Sequence, residues 1–356
     1  MKVLHLASAN RWSGAAAPAF AETAALRQAG IDAHYAYVGG HKLAAKLAPV
    51  DFAHPIIDKA QNPRAFIRSV GAIERLLLHH GFDVIHAHLT YDHWLARFAA
   101  RLVSGVHVAR TFHARRVLRP DPFTQSLINR SEAVFVVNST FRDAPVLRHR
   151  GPVFTPPPLD QEQFTPEGPN VRARYGIPPD APLLVAIGKL AAARGFEDVL
   201  ATFALVRRTI GGVRLMIIGH GEHRPLLERH AANLGVADAV VWAGYHEDDL
   251  AEHYRAADVL LFTAAGSDEG HRAVIEAMGC GVIPVTFPLP GIDALLGDLA
   301  PRLIAATGTS DSLALKVTAV LGGETAELQR HMYERSEEFG YSRAARRLTD
   351  VYLSIF

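Results

Sequence analysis

The chain has 356 residues, of which 49% are hydrophobic and 21% charged, and its formal net charge is +1. This length is large for one compact core and favours two domains of ordinary size. No run approaches the roughly 18 consecutive apolar residues of a membrane-spanning helix, the start at Met1 turns polar too quickly for a signal peptide, and the single cysteine, Cys280, cannot form an internal disulfide.

The charges are distributed unevenly along the chain. Residues 1–165 carry 19 Lys and Arg against 12 Asp and Glu, a net of +7, whereas the remainder carries a net of −6. A basic first half favours an anionic partner, such as an acidic membrane, a phosphorylated acceptor or the second half itself, although ordinary surface variation explains the asymmetry equally well. We expect a cytoplasmic protein without a nucleic-acid partner, and peripheral contact with the inner face of an anionic membrane is a further option.

The first half alternates short apolar runs with stretches of helix length. Strands are predicted at Val3–Ala7, Ala33–Val38, Val84–Ala87, Val106–Thr111 and Ala133–Val137. Helices are predicted at Pro18–Ala29, Arg64–His80 and His93–Val103, with caps near Gly30 and Gly81. Strands that alternate with helices indicate a mostly parallel sheet.

Consecutive prolines at Pro156–Pro158 interrupt this alternation and predict a connection between two domains. A second set of strands follows at Leu183–Ile187, Arg214–Ile218, Val240–Trp242, Val259–Phe262 and Val282–Val285. Helices are predicted between them, at Gly195–Arg208 and Arg224–Leu234, and a last amphipathic stretch covers Tyr341–Phe356.

The most informative segment is GSDEGHRAVIEAMGCG at residues 266–281, where a helix is predicted to begin near Gly270 after a strand. Free backbone N–H groups and the dipole at such a helix start favour a diphosphate. Seven residues separate Asp268 from Glu276, and their carboxylates are suited to accept hydrogen bonds from sugar or ribose hydroxyls. A helix cap and a solvated side chain are the alternative interpretation.

This segment resembles the retaining glycosyltransferases of family 4, whose signature is two acidic residues separated by seven. The family usually continues as Glu-Ala-Met-Ala-x-Gly, and this chain has Glu-Ala-Met-Gly-Cys-Gly from Glu276. The resemblance implies an α/β fold of the GT-B type, with two Rossmann-like doubly wound domains and an interdomain cleft. It implies an acceptor-side domain at 1–165, a nucleotide-sugar donor domain at 166–340, and a helix at 341–356 that crosses back to the first domain.

A second segment, GKLAAARG at residues 188–195, follows the first strand of the second half. It is similar to the family's Gly-Arg-Leu-x-x-x-Lys-Gly with Arg and Lys exchanged. Two cations at the carboxyl end of a strand would neutralise a diphosphate leaving group. The exchange keeps the charge and changes the geometry, because a guanidinium and an ammonium bind phosphate differently.

Other positions match the family more loosely. The Gly219-His220-Gly221 turn lacks the third glycine of a dinucleotide fingerprint, since that position is Arg224. Tyr245 lies in a segment that resembles the family's contact with the nucleobase, although a core or rim aromatic is equally compatible. In the first half, the Thr-Phe-His sequence resembles the context of the family's histidine near the donor sugar, and the loop after the first strand contains a glycine.

The resemblance therefore implies two groups of site residues. The predicted catalytic residues are His113, Asp268, Lys189 and Arg194. The predicted substrate-binding residues are Gly14, Glu269, Gly270, His271, Arg272, Glu276, Gly219 and Tyr245.

No metal or other cofactor is predicted. His86 and His88 would share one face of a strand end, but no third ligand at suitable spacing is evident. Acidic residues at 247–249 are explained more simply as the first turn of a helix. The basic run Arg110, Arg115, Arg116 and Arg119 has two interpretations, contact with an anionic acceptor or lipid head group and an ordinary solvated loop.

The implied function is retaining, metal-independent transfer of a hexose-type sugar from a UDP- or GDP-sugar to a glycan, lipid-linked or small-molecule acceptor, within polysaccharide biosynthesis. Two alternatives stay open: a sugar-nucleotide epimerase of the same fold, and a catalytically silent nucleotide-sugar-binding protein.

Overall fold

A computed structural model describes residues 1–10, 12–60, 62–264, 269–323 and 325–356. The chain divides into two compact units. Among the described residues, the first comprises 1–158, 269–270 and 339–356, and the second comprises 159–264 and 271–338. None of the helices in the described ranges has the length and hydropathy that crossing a bilayer would require.

The first unit contains a parallel sheet flanked by helices. Its strands are β1 (Lys2–Ala7), β2 (Asp32–Val38), β3 (Ala53–Ile57), β4 (Val84–Ala87), β5 (His107–Phe112), β6 (Ala133–Val136) and β7 (Val153–Phe154). They lie in the order β3-β2-β1-β4-β5-β6-β7, so the direction of winding reverses between β1 and β4. The helices of this unit before the second sheet are α1 (Ala16–Gln28), α2 (Lys42–Leu47), α3 (Pro63–His80), α4 (Thr90–Ala100) and α5 (Pro122–Asn129).

Local sequence sets the ends of α3. The Asn62 side chain accepts a hydrogen bond from the backbone N–H of Ala65 at 2.8 Å, and Pro63 occupies the first helical position, where its missing N–H costs nothing. Gly81 ends the helix in the left-handed region at φ 66°, and its N–H bonds to the carbonyl of Leu77. Glycine adopts this conformation without the steric cost of a Cβ atom.

The second unit contains another parallel sheet. Its strands are β8 (Leu183–Ile187), β9 (Arg214–Ile218), β10 (Val240–Gly244), β11 (Val259–Phe262) and β12 (Ile283–Thr286). Their order is β10-β9-β8-β11-β12, which places the reversal between β8 and β11. The helices are α6 (Phe196–Thr209), α7 (Arg224–Asn233), α8 (Leu250–Arg255), α9 (Arg272–Gly279), α10 (Ile292–Leu296), α11 (Ala300–Leu303), α12 (Ser310–Leu321) and α13 (Thr325–Ser336). All four residues of β11 and of β12 are buried, as expected for strands covered on both faces.

The last helix, α14 (Tyr341–Leu353), belongs to the first unit and packs against α1. Its buried residues Ala344, Ala345, Leu348 and Tyr352 fall on one face. They join Val3 and other first-unit residues in one hydrophobic cluster. Burial of this face ties the end of the chain to the first sheet.

Candidate functional site

The loops that leave the second sheet converge at the carboxyl ends of its strands. The N–H of Leu190 donates to the carbonyl of His220 at 3.0 Å, which joins the loop after β8 to the loop after β9. The N–H of Gly219 donates to the carbonyl of Gly244 at 2.7 Å, and the Thr263 hydroxyl donates to the carbonyl of Gly195 at 2.9 Å. Open α/β sheets bind ligands at this edge, beside the reversal of strand order.

The close approach of these loops depends on glycine. A Cβ atom on Gly219 would lie 1.8 Å from the carbonyl oxygen of Gly188, and Gly219 has φ +144°. A Cβ atom on Gly221 would lie 2.0 Å from the carbonyl oxygen of Leu190. No side chain fits at these distances, so the two glycines are required for the backbones to lie together.

We expect Gly219→Ala to lower the free energy of unfolding by about 2 kcal/mol or more, because it combines a backbone clash with an unfavourable φ. Gly211→Ala is the matched control: it lies outside a left-handed conformation, and its Cβ atom would meet nothing within 4 Å. Urea unfolding of both variants measures the difference. Equal midpoints would show that the loops separate at little cost.

Backbone strain is concentrated on two of these loops. Among the described residues, the non-glycine positions with positive φ are Ala193, at 58°, and His271, at 54°. Ala193 lies in the loop after β8, and His271 lies directly before α9, which follows β11. Conformations of this kind persist where the surrounding structure holds them, and they cluster at ligand sites. Ala193 gives no sequence signal, since alanine does not favour this conformation.

The two predicted cations lie on the strained loop after β8. Lys189 is an exposed side chain whose ammonium lies 3.4 Å from Glu222 Oε1. Arg194 is partly buried, one residue before the left-handed Gly195 that precedes α6. An exposed ion pair such as Lys189–Glu222 contributes little to stability, so the Lys189 ammonium can leave Glu222 and bind a more highly charged anion.

Glu276 lies in the second turn of α9 and is 5% exposed. Its Oε1 lies 3.1 Å from Arg272 Nη1, and its Oε2 accepts a hydrogen bond from the Tyr254 hydroxyl at 3.3 Å. The helix begins at Arg272, two residues later than predicted. Directly before it, His271 Nε2 donates a hydrogen bond to the carbonyl of Pro290 at 2.9 Å. The carboxylate is thus held in position by two neighbouring side chains.

Tyr245 follows β10 and is 58% exposed. Its ring meets the ring of His220 edge-to-face at 5.2 Å between centroids, and its hydroxyl donates to Glu247 at 2.7 Å. An exposed aromatic at a strand end offers a face on which a planar base can stack. The structure therefore brings Lys189, Gly219 and Tyr245 to the same edge of the second sheet.

The first unit holds His113 directly after β5. The ring is 6% exposed, and its Nε2 lies 3.0 Å from His88 Nδ1. Burial, together with the smaller effect of the Arg110 charge, lowers the pKa of His113 to about 3. The imidazole is therefore neutral at physiological pH, which suits a hydrogen-bonding role. Gly14 lies in the turn between β1 and α1.

Glu269 and Gly270 also belong to the first unit. Glu269 Oε1 accepts a hydrogen bond from the backbone N–H of Arg115 at 3.1 Å, and its carbonyl accepts one from Asn138 Nδ2 at 2.8 Å. Asp268, the remaining predicted catalytic residue, lies outside the described residues.

The surface interpretation of the basic run is wrong for one member. Arg110 lies on β5 and is 1% exposed, so it cannot meet a partner at the surface. Burial lowers the pKa of Arg110 to about 10, while the nearby charge of Asp92 opposes that shift. Strand position and burial override the basic character of this residue.

Solved structures have the same fold, and one of them is titled a glycosyltransferase. The chain superposes on a glycosyltransferase from Rickettsia africae with a TM-score of 0.83 over 99% of this chain and 98% of that one, at 14% identity. It superposes on HepE from Anabaena, solved in complex with UDP, with a TM-score of 0.81 over 99% and 100% of the two chains, at 15% identity. The fold is therefore that of the GT-B glycosyltransferases.

Sequence comparison identifies the family. Residues 12–152 match the family model "Glycosyltransferase Family 4", and residues 168–339 match "Glycosyl transferases group 1". The chain belongs to the family 4 glycosyltransferases and is an enzyme of this type, which confirms the resemblance seen in residues 266–281.

Two relatives with similar sequences are named for particular glycosyl-transfer reactions. The 2-deoxystreptamine glucosyltransferase of Streptomyces kanamyceticus is 28% identical, over 74% of this chain and 75% of that protein. The D-inositol 3-phosphate glycosyltransferase of Xylanimonas cellulosilytica is 29% identical, over 76% of this chain and 72% of that protein.

Proposed function

We propose that this glycosyltransferase moves a hexose from a UDP- or GDP-sugar to a glycan, lipid-linked or small-molecule acceptor, without a metal at the diphosphate. The observation that carries the proposal is the convergence of a cationic strained loop, a close-packed glycine turn and a buried carboxylate around the carboxyl edge of the second sheet. Cations and backbone N–H groups bind a diphosphate, and a carboxylate accepts hydrogen bonds from sugar hydroxyls.

In this proposal each group has one task. Lys189 and Arg194 bind the diphosphate and stabilise it as a leaving group, with N–H groups at the start of α9. Glu276 accepts hydrogen bonds from donor hydroxyls, and Tyr245 contacts the base. His113, neutral in the folded protein, binds a sugar hydroxyl. Asp268 is the second acidic residue of the family signature, and its carboxylate accepts hydrogen bonds from the sugar or the ribose of the donor.

The chemical step proposed is attack on the same face from which the nucleoside diphosphate departs. The departing phosphate then assists removal of the acceptor proton, and the anomeric configuration is retained. NMR of the product anomer tests this step, and an inverted anomer would contradict it.

Two kinds of similarity support a nucleotide-sugar donor. HepE from Anabaena has been solved with UDP-glucose, and a superposition with it gives a TM-score of 0.78. Several relatives are named as glucosyl- or mannosyltransferases.

We propose a cytoplasmic location, with the acceptor drawn from cell-surface glycan assembly.

A thermal-shift panel with UDP, GDP, ADP and NAD, with and without EDTA, tests donor binding. A ligand at 100 times its dissociation constant should stabilise the folded chain by about 2.7 kcal/mol. We expect UDP or GDP to do so equally well with EDTA present. Stabilisation only by NAD, or only with a divalent metal, would contradict the proposal. Binding without turnover on any acceptor would favour a silent binding protein instead.

A further inference from the structure

Four polar side chains meet in the interior of the first unit, beneath the position of His113. They are His5 on β1, Glu22 on α1, His86 on β4 and His88 directly after β4, and each is at most 1% exposed. The sheet register pairs His5 with His86, which places both rings beside each other. One ligand atom from each of the four residues lies within 4.8 Å of the others.

Three imidazoles direct a nitrogen towards one carboxylate oxygen. Glu22 Oε2 lies 3.8 Å from His5 Nδ1, 4.0 Å from His86 Nδ1 and 3.7 Å from His88 Nε2. His5 Nδ1 and His88 Nε2 are 2.9 Å apart. A tetrahedral ion with bonds of about 2.0–2.1 Å separates its ligands by roughly 3.3 Å. The observed separations bracket that value, so small side-chain shifts would complete such a site.

The Glu22 carboxylate is an unusual group to bury in this way. Neither of its oxygens has a hydrogen-bond partner in the part of the chain that the structure describes, although the side chain is fully buried. An unpaired buried acid is costly, whereas a bound cation would satisfy it directly.

The far sides of two of the rings are already held. His86 Nε2 lies 2.7 Å from the Thr111 hydroxyl, and His88 Nδ1 lies 3.0 Å from His113 Nε2. Metal-binding histidines are commonly held through their second nitrogen, which fixes the ring and its tautomer.

We propose that His5, Glu22, His86 and His88 bind one divalent transition-metal ion, with Zn²⁺ the ion that three imidazoles and one carboxylate suit best. Four protein ligands close the coordination sphere, as in structural sites. The ion would replace the direct contact between His5 and His88 and the 2.5 Å contact of His86 Nδ1 with the Tyr352 hydroxyl.

Such an ion would join β1, β4 and α1 and would fix the ring of His88, which contacts His113. The sequence offers no third ligand for His86 and His88 at suitable spacing, whereas the fold brings two further candidate ligands beside them. His5 and Glu22 lie far from them in sequence and come together only through strand pairing and helix packing.

A second histidine group, His34, His54 and His80, serves as the matched control. His34 Nδ1 lies 2.7 Å from His54 Nε2, and His34 Nε2 lies 2.9 Å from Asp32 Oδ1, so both nitrogens of His34 are already engaged. This group is partly exposed. His54→Ala should therefore leave the metal content of the protein unchanged.

The test is the metal content of the full chain, purified from zinc-containing medium and washed with EDTA. Elemental analysis should find about one Zn²⁺ per chain in the unsubstituted protein and in His54→Ala, and about tenfold less in Glu22→Gln. Refolding the unsubstituted chain with Co²⁺ after denaturing chelation should give the strong visible absorption of tetrahedral Co²⁺.

The Co²⁺ spectrum decides the matter even if Glu22→Gln fails to fold. Absence of Zn²⁺ together with no Co²⁺ uptake would overturn the proposal, and so would equal loading of Glu22→Gln or loss of the metal in His54→Ala. This metal measurement does not depend on the outcome of the donor-binding panel. We expect the brief EDTA treatment in that panel to leave an ion in a closed, buried site in place.

Discussion

Replacing both Lys189 and Arg194 by alanine should lower kcat/KM by roughly 10²- to 10⁴-fold while leaving the fold intact. Hydrogen bonds to charged groups contribute about 1.5–3 kcal/mol each, and every 1.4 kcal/mol is a factor of ten. Lys189 is exposed and its present partner is the exposed Glu222, so its removal breaks no buried contact. The loss should therefore appear in catalysis and diphosphate binding and not in stability.

The matched control for this pair is Lys316→Ala with Arg330→Ala. It removes the same charge from helices α12 and α13 of the second unit, and Arg330 is likewise in an exposed ion pair, with Glu334. Steady-state kinetics should show little change in the control. Wild-type turnover in the Lys189/Arg194 variant would contradict the assignment of these residues.

Binding of nucleotide fragments resolves the role of Lys189 further. Calorimetry of Lys189→Ala should show that a nucleoside diphosphate is weakened far more than the corresponding nucleoside, since only the diphosphate carries the charge that Lys189 neutralises. Equal weakening of both ligands would instead place Lys189 at the base or ribose.

Much of the second sheet was predictable from the sequence because its strands are short buried runs. β8, β9 and β11 begin and end at the predicted residues, and β10 extends two residues further than predicted. Parallel strands covered on both faces give continuous apolar runs, which are easily recognised.

The first sheet was harder to predict at its edges. β3 contains Pro55 and lies at one edge, where a missing N–H is tolerated, so its sequence does not look like a strand. β7 has two residues and lies at the other edge. Edge strands carry weak patterns because they bury less, and the prediction missed both.

Site residues also divide into those that a local motif predicts and those that only the folded structure brings together. A motif read along one segment, such as the Glu-Ala-Met run at Glu276, needs no knowledge of distant contacts. The strain at Ala193 and the meeting of His5 with Glu22 depend on loop packing and on strand register, which no local pattern specifies. The burial of Arg110 differs from these cases, because the predicted strand Val106–Thr111 already contains this residue and ends before the exposed Arg115.

Glu276→Gln should lower kcat/KM by roughly 10- to 150-fold, corresponding to 1.5–3 kcal/mol for hydrogen bonds to a charged group. The amide keeps the size of the side chain and loses the charge that accepts bonds from donor hydroxyls. Glu334→Gln is the matched control, because Glu334 forms the same i,i+4 pair with an arginine on an exposed helix face. Kinetics of both variants, with circular dichroism to verify folding, measure the effect.

A donor lacking one ribose hydroxyl identifies what Glu276 binds. If the carboxylate holds the ribose, the deoxy donor should be a poorer substrate for the unsubstituted enzyme, and the two losses should not add when variant and analogue are combined. Additive losses would move Glu276 from the ribose to another part of the donor. Wild-type kinetics in Glu276→Gln would exclude it from the site, because a side chain held by Arg272 and Tyr254 would then serve packing alone.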